Sequence, residues 1–476
     1  MRTGPNPYFV PRGDYHWFDG DGMLHACRIK SGQVSYCNKF VDTFRLTQEK
    51  RAGAALFMKL GDMQGISGIC LMFLSSLQRR LGFTNNQHGA GTANTALVYH
   101  ARKLMSLHEG DLPYAMQVLC NGLIESLGRV EFDGKVDHPF TAHPKLDPAT
   151  GELFFIGYKL DSGQARLWYS ALNPQGELMF DQSVQLKHAV MHHDFAITQN
   201  HALIIDHCLE FCGKAMVKEG TLPFRTNHQR NARIGVLPKR PKDPSSKGAN
   251  VRWFELDQPL VFFHSVNAWE EQDGDIIRLF LCFYKHMDLS GKESTHPPAE
   301  VGEVRLNLRT GTSELRVLAP GVYGDFPRVP QHLIGQPSRF AYISTTIWPS
   351  SKPVMDGLAK YDLTKTTGDS VIGRLSFGPN HTGGEAFFVP SHTDPAQCSG
   401  EDDGYLVTFV HDMSASTKGS ALVVYDAKTM SSTPVAHVPL PQRVPNGFHA
   451  HHMNEAEFYE HLQYSRSAGS KFASPL

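Results

Sequence analysis

Beyond residue 83 the chain alternates short apolar runs with turns. Segments such as ALVYHARKLMSL, ELFFIGYKL, ARLWYSAL, LVFFHSVNAW, IIRLFLCFYK, RFAYIST, YLVTFVHD and ALVVYDA are rich in Val, Ile, Phe and Tyr. Those residues fit a pleated, half-buried surface. DPATGE, DSGQ, NPQGE, LRTGTSE and EDDG separate the runs and supply turn chemistry. More than fifteen such strands recur at a spacing of roughly ten residues, which predicts a large sandwich, barrel or propeller. They do not alternate with helical patterns, which argues against a parallel α/β sheet. No WD or kelch repeat is visible, so a propeller would be an irregular one.

Two segments depart from this texture. Residues 55–83 mix Leu56, Phe57, Met58, Ile66, Ile69, Leu71, Met72, Phe73 and Leu74 with Arg79 and Arg80. They read as a helix packed on the core or as an amphipathic segment lying in a membrane surface. Residues 223–250 form a basic, Pro-rich stretch that reads as a solvated loop around the short strand RIGVLP. The tail Tyr464–Leu476 reads as disordered, which leaves residues 1–463 as one folded unit.

Composition narrows the function. Forty-six Lys and Arg against 47 Asp and Glu give a net charge of −1, which excludes a protein built to neutralise phosphate backbones. No apolar run is long enough to cross a membrane. The start, Met1-Arg2-Thr3-Gly4-Pro5-Asn6-Pro7, has no apolar signal region. The expected location is the cytoplasm, peripheral to membranes, or a plastid if an upstream transit peptide precedes this start. Eight cysteines, Cys27, Cys37, Cys70, Cys120, Cys208, Cys212, Cys282 and Cys398, contain no CxxC pair and read as buried free thiols in a reducing compartment. His207, Cys208 and Cys212 lack a fourth ligand for a structural zinc site.

Twenty-five histidines in 476 residues is a high share for the commonest metal-ligating side chain. Four stand at the edges of apolar runs: His143 in FTAHPKLDP, His193 in MHHDF, His264 in VFFHSVNAWE and His449 in VPNGFHA. Their separations of 50, 71 and 185 residues put no two on one helix face. If they meet, they meet at a point approached by several strands. Taken singly, each is more simply a core residue satisfied by one hydrogen bond. Together, four neutral imidazoles suit iron, zinc or copper. His192 is set aside because successive strand side chains face opposite ways. His451 and His452 read as surface residues. His411-Asp412 resembles a base with its orienting acid, but no nucleophile motif accompanies it. No P-loop, GxGxxG or HExxH is present.

Six ordered segments carry a resemblance: FDGDGM (18–23), GTANTA (91–96), TAHPK (141–145), HDFAIT (193–198), NAWEE (267–271) and RVPNGFH (443–449). They resemble the carotenoid cleavage oxygenase family, most closely its plant-type 9,10(9′,10′)-cleaving branch. MKLGD (58–62) and EDDGY (401–405) share its texture. The resemblance implies an all-β fold: a seven-bladed β-propeller with a helical dome over one face and Fe(II) on the axis. It implies His143, His193, His264 and His449 as iron ligands. It also implies Glu109, Asp325 and Glu385 as acids holding the ligand imidazoles, a role whose loss typically costs about 10–100-fold in affinity or activity. Animal members carry Glu where this chain has Asp325, so a longer or water-bridged contact is expected there.

The implied reaction is cleavage of a conjugated C=C bond of a carotenoid or apocarotenoid by O2. Both oxygen atoms go to the two carbons, giving two carbonyl products. No catalytic side chain beyond the iron centre is expected, nor is a nucleic-acid partner. Twenty-nine phenylalanines supply material for an apolar substrate tunnel, and segment 55–83 becomes a candidate peripheral membrane patch. Two competing readings are a stilbene-cleaving dioxygenase of the same family and a metal-free propeller used as a binding scaffold.

Overall fold

The computed structural model describes the chain except residues 14, 64, 86–88, 162–163, 214–217, 219–221, 290–295, 351–353, 415–418 and 469–476. Among the described residues, seven antiparallel blade sheets follow one another along the sequence, each with its strands in chain order, beside one separate two-stranded ribbon. The first holds three strands, Arg2–Asn6, Asp21–Lys30 and Gln33–Phe40. The second holds Ala96–His100, Lys103–Leu107, Tyr114–Val118 and Ile124–Arg129, and the third Lys145–Leu146, Leu153–Asp161, Gln164–Leu172 and Leu178–Gln185. The fourth holds Phe195–Ile197, His201–Asp206, Arg233–Pro238 and Arg252–Glu255, and the fifth Val261–Glu271, Ile276–Tyr284, Glu300–Asn307 and Ser313–Val317. The sixth holds Gly324–Arg328, Phe340–Thr346, Met355–Asp362 and Val371–Ser376. In the seventh, His381–Thr382 and Phe387–Pro390 both pair with Gly404–Asp412, followed by Ser420–Asp426 and Ala436–Pro439.

This is a seven-bladed β-propeller, and its core is distributed. Each adjoining pair of blades buries its own apolar cluster. Leu203, Ile234 and Phe254 of blade four meet Ile277, Leu279 and Leu281 of blade five. Phe409 and Leu422 of blade seven meet Cys27 and Tyr36 of blade one. A blade covered on both faces needs apolar side chains on both sides of its middle strands. Strand Ile276–Tyr284, sequence IIRLFLCFY, is accordingly buried along nearly its whole length, whereas the outer strand Ser313–Val317 is half-exposed.

Residues 448–451 run beside the first strand and close the ring. Arg2 forms an isolated bridge with Ala450. Phe448 N–H donates to Thr3 O at 3.1 Å, and His451 N–H donates to Met1 O at 2.8 Å.

A cap of turns covers one end of the axis. Phe18, Leu60, Met63, Met191, Leu209, Leu222, Phe263 and Leu289 form its apolar cluster. Asp19 ties two cap segments, accepting from Leu60 N–H at 2.6 Å and Gly61 N–H at 2.7 Å. Asn94 Nδ2 donates to Phe18 O and Gly20 O. The segments FDGDGM and GTANTA therefore serve as structural clasps. Helix Gly65–Arg80 continues from this cap, and Gly68 is its single buried residue.

Several expectations are corrected. ALVYHARKLMSL is a hairpin rather than one strand, turning at Ala101 (φ 49) and Arg102 (φ 64). That left-handed pair matches a tight hairpin turn without the usual Asn-Gly signal. Residues 223–250 contain the expected strand Arg233–Pro238. They also contain Phe224–Thr226, which pairs with Leu209–Phe211 as a separate two-stranded ribbon. The tail is not without structure from residue 464: a helix runs over Glu455–Ala468, and residues 469–476 lie outside the described residues. All eight cysteines are free, but Cys70 and Cys120 are exposed. Cys70 lies on helix Gly65–Arg80, where little but Gly68 packs inward. His451 is buried, because the closing segment is covered by the first strand and by blade seven.

Candidate metal centre

The four histidines approach the axis from four blades. His143 precedes strand Lys145–Leu146, and His193 precedes Phe195–Ile197. His264 lies within Val261–Glu271, and His449 is in the closing segment beside blade one. One ring nitrogen from each comes within 4.8 Å of the other three. His143 Nε2 and His193 Nε2 are 3.0 Å apart, and His193 Nε2 and His264 Nε2 are 3.3 Å apart. Imidazole nitrogens bound about 2.1 Å from one shared ion fall into this range of separations. Gaps of up to 185 residues between successive histidines are thus collapsed to one point by blade symmetry.

Three acids stand behind three of the rings. Glu109, in the turn between the second and third strands of blade two, accepts from His193 Nδ1 at 2.7 Å. Asp325, on the inner strand of blade six, accepts from His264 Nδ1 at 2.7 Å. Glu385, on the inner edge of blade seven, accepts from His449 Nδ1 at 2.8 Å. Each blade thereby sends one residue to the axis. A proton held on Nδ1 by a carboxylate leaves Nε2 with a free lone pair, the tautomer a metal ligand needs.

The Asp325 contact is neither long nor in need of a bridging water. The strand register slips between Asp325 and Arg328, and Phe326 takes φ 56. That bulge carries the shorter carboxylate forward to His264. Phe326 N–H also donates to Asp325 Oδ1 at 2.8 Å.

Burial, then the neighbouring His449, His193 and His264, hold His143 well below the ordinary histidine range. Burial takes His449 down to about 4 against the pull of Glu385. Burial opposes charge on His264 too, yet Asp325 lifts it above its ordinary value. Burial pushes the Glu385 carboxyl up, but Arg328 and His449 outweigh it and bring it down to about 2. The three carboxylates against the Arg328 guanidinium leave two negative charges, which a divalent cation balances. Nε2 atoms converging at 3.0 and 3.3 Å are likewise accommodated by a shared cation. The donor set fits a divalent metal of borderline softness.

Aromatic rings pack against the centre. Phe263 stacks on His193 with centroids 4.0 Å apart, and Phe326 lies 5.3 Å from His264 and 5.2 Å from His449. Trp17 and Phe18 meet Phe448 at 5.1 and 5.7 Å. An axial cavity touches His143, His264, His449, Glu385, Lys145 and His451. On its wall Lys145 Nζ and Asp194 Oδ1 pair at 2.7 Å, while Asp194 Oδ2 accepts from Ser265 N–H at 2.8 Å. That ion pair ties the histidine-bearing segments of blades three, four and five together.

His192 is excluded from the centre as expected, although the reason differs. It precedes the strand rather than alternating within it, and its ring packs toward Tyr158 and His207. His411 is spent on structure, with Nδ1 at 2.9 Å from Ser420 Oγ. Sequence reasoning missed Tyr158, Tyr284 and Arg328, which contact the three acids. Their only sequence signal was a polar group inside an apolar run or next to a matched motif.

A propeller with a buried four-histidine axial centre defines a class of metal-dependent oxygenases. Residues 1–454 match the family model described as RPE65, retinal pigment epithelial membrane protein. The chain is 40% identical over 477 residues to carotenoid 9,10(9′,10′)-cleavage dioxygenase 1 of Pisum sativum, covering 98% of this chain and 85% of that one. Two solved structures share the fold. The lignostilbene dioxygenase of Pseudomonas brassicacearum and the cobalt-substituted ACO, or apocarotenoid oxygenase, of Synechocystis each have a TM-score of 0.76 at 24% identity. Each covers 94% of this chain and 90% of the other. The chain belongs to the RPE65/carotenoid cleavage oxygenase family. It is an oxidoreductase of the dioxygenase type that acts with O2.

Proposed function

We propose that this protein is a non-haem Fe(II) dioxygenase that cleaves carotenoids or apocarotenoids at the 9,10 (9′,10′) double bond, giving two carbonyl products. The carrying observation is the convergence of four imidazoles, three backed by carboxylates, in a chain 40% identical to the pea 9,10(9′,10′)-cleavage enzyme. His143, His193, His264 and His449 hold the metal, and Glu109, Asp325 and Glu385 fix three of the rings. Iron supplies the binding and activation of O2, which no side chain here can do. The chain orients the imidazoles, keeps water from the centre and holds one double bond of the polyene there. Trp17, Phe18, Phe263 and Phe448 give that end of the axis the apolar, aromatic character a polyene requires.

A carotenoid is apolar and partitions into membranes or lipid bodies, and one surface suits collecting it. On helix Gly65–Arg80 and just beyond, Ile66, Ile69, Met72, Phe73, Leu74, Leu77, Leu81 and Phe83 are exposed, with Ile66 at 72% and Phe73 at 73%. Among the described residues no helix is long and apolar enough to cross a membrane. The reading that fits is a peripheral patch lying in the interface, with Arg79 and Arg80 meeting headgroups.

The test is anaerobic Fe(II) loading followed by incubation in detergent with β-apo-8′-carotenal and, separately, resveratrol. A C13 ketone from the apocarotenal, read by mass spectrometry, supports the proposal. Cleavage of resveratrol alone moves the protein to stilbene chemistry. Failure to take up iron returns it to a metal-free scaffold.

A further inference from the structure

Each acid behind the centre has two carboxylate oxygens, and each gives only one of them to a histidine. The other is taken by a donor one layer further out. Tyr158 Oη donates to Glu109 Oε1 at 3.2 Å, Tyr284 Oη to Asp325 Oδ2 at 2.7 Å, and Arg328 Nη2 to Glu385 Oε2 at 2.7 Å.

The Tyr284 contact differs from the other two in its topology. Tyr284 ends strand Ile276–Tyr284, where it pairs with Val261 on the strand that carries His264. One hairpin of blade five therefore presents both the imidazole and the phenol to a single carboxylate of blade six. Asp325 is one methylene shorter than Glu109 and Glu385, so its oxygens swing through a smaller arc. Which way the carboxylate plane faces then depends on what holds Oδ2. The Tyr284 phenol is rigid, its reach is fixed by the ring, and it fills that place. With Oδ2 held, Oδ1 remains free to accept from His264 Nδ1 and Phe326 N–H together.

We propose that Tyr284 is a positioning residue for the metal centre: it fixes the Asp325 carboxylate, and through it the ring plane of His264, so that Nε2 points at the shared ion. The inference rests on the four-histidine metal reading. Its prediction is specific to the metal and not to the bound polyene, because Tyr284 acts through Asp325 and His264, three contacts away from the ion. Groups that orient ligand histidines typically contribute about 10–100-fold in metal affinity or activity, and one layer further out the effect is smaller.

The experiment compares the full chain with Tyr284→Phe, which keeps the ring and removes the hydroxyl, and with Tyr169→Phe as a control. Tyr169 is fully buried, more so than the half-buried Tyr284, and its hydroxyl donates to Lys239 O, away from the centre. Fe(II) affinity is measured anaerobically, and Co(II) is added separately to read the visible ligand-field spectrum. The expected result for Tyr284→Phe is a three- to tenfold weaker Fe(II) affinity, a shifted Co(II) spectrum and a lower kcat with KM unchanged. Tyr169→Phe is expected to match wild type in all three while losing comparable thermal stability. Wild-type affinity and an unshifted Co(II) spectrum in Tyr284→Phe overturn the inference. Equal metal loss in both variants also overturns it, since that outcome is general destabilisation. Absence of metal binding by the wild type overturns the metal reading itself and is distinguished by that measurement alone. If Tyr284→Phe does not fold, Asp325→Glu on the wild-type background replaces it. The longer side chain, pressed against the same phenol, is expected to shift the Co(II) spectrum, and an unchanged spectrum counts against the role.

Discussion

The axial centre and helix Gly65–Arg80 are both marked in the sequence by apolar neighbours, and the fold treats them in opposite ways. His193, His264 and His449 are 7%, 4% and 5% exposed, enclosed by blades and cap around the axial cavity. Phe73, in an equally apolar stretch, is 73% exposed. The apolar run predicts burial only where topology supplies a cover. The propeller supplies it at the axis, because seven inner edges meet there. Nothing among the described residues lies over the outer face of the helix.

The largest expected break is at the centre. His449→Ala removes a ligand and leaves Glu385 facing an empty site, so Fe(II) binding and cleavage are expected to fall together by more than about 100-fold. Anaerobic metal titration and product assay read both. Glu385→Gln keeps the shape and removes the charge, so it is expected to retain iron with about 10–100-fold weaker affinity or activity. Full activity in that variant would remove Glu385 from its role.

The helix is expected to respond in a different readout. Ile66→Asp with Phe73→Asp withdraws two side chains whose burial is worth about 1.5–3 kcal/mol each. Vesicle binding by sedimentation is expected to drop at least tenfold, with cleavage in detergent unchanged. Unchanged vesicle binding would show that this face is not the membrane contact.

The last expected effect is that of pH on stability. Burial drives His25, His207 and His411 down to about 3 from an ordinary value of 6.5. Between those values the unfolded chain binds protons that the fold does not, so stability rises with pH across that window and falls on acidification. Thermal unfolding of the metal-free protein from pH 7 to 4 is expected to show a steady decline. A His207→Gln variant is expected to flatten it, and a flat wild-type profile would refute the assignment.

Much of the fold was legible because period and turn chemistry are local. Runs such as IIRLFLCFY declare a strand covered on both faces, and GTSE or EDDG declare its ends. Where local chemistry was silent the reading failed. The Ala101-Arg102 turn has no glycine or asparagine, so the hairpin of blade two looked like one strand. His451 looked like surface because its cover is the first strand of the chain, hundreds of residues away.

The strand-rich architecture is written in local pattern, and the four histidines and three acids became candidates only through the ordered family motifs that flank them. Tertiary structure alone decided which neighbours complete the site. It placed Tyr158, Tyr284 and Arg328 on the outer oxygens of the acids. It also corrected the reach of Asp325 through a backbone bulge at Phe326. These contacts join different blades or different strands at separations of 41 to 57 residues. No local pattern encodes such a distance, because it is set by how each blade twists and packs on the next.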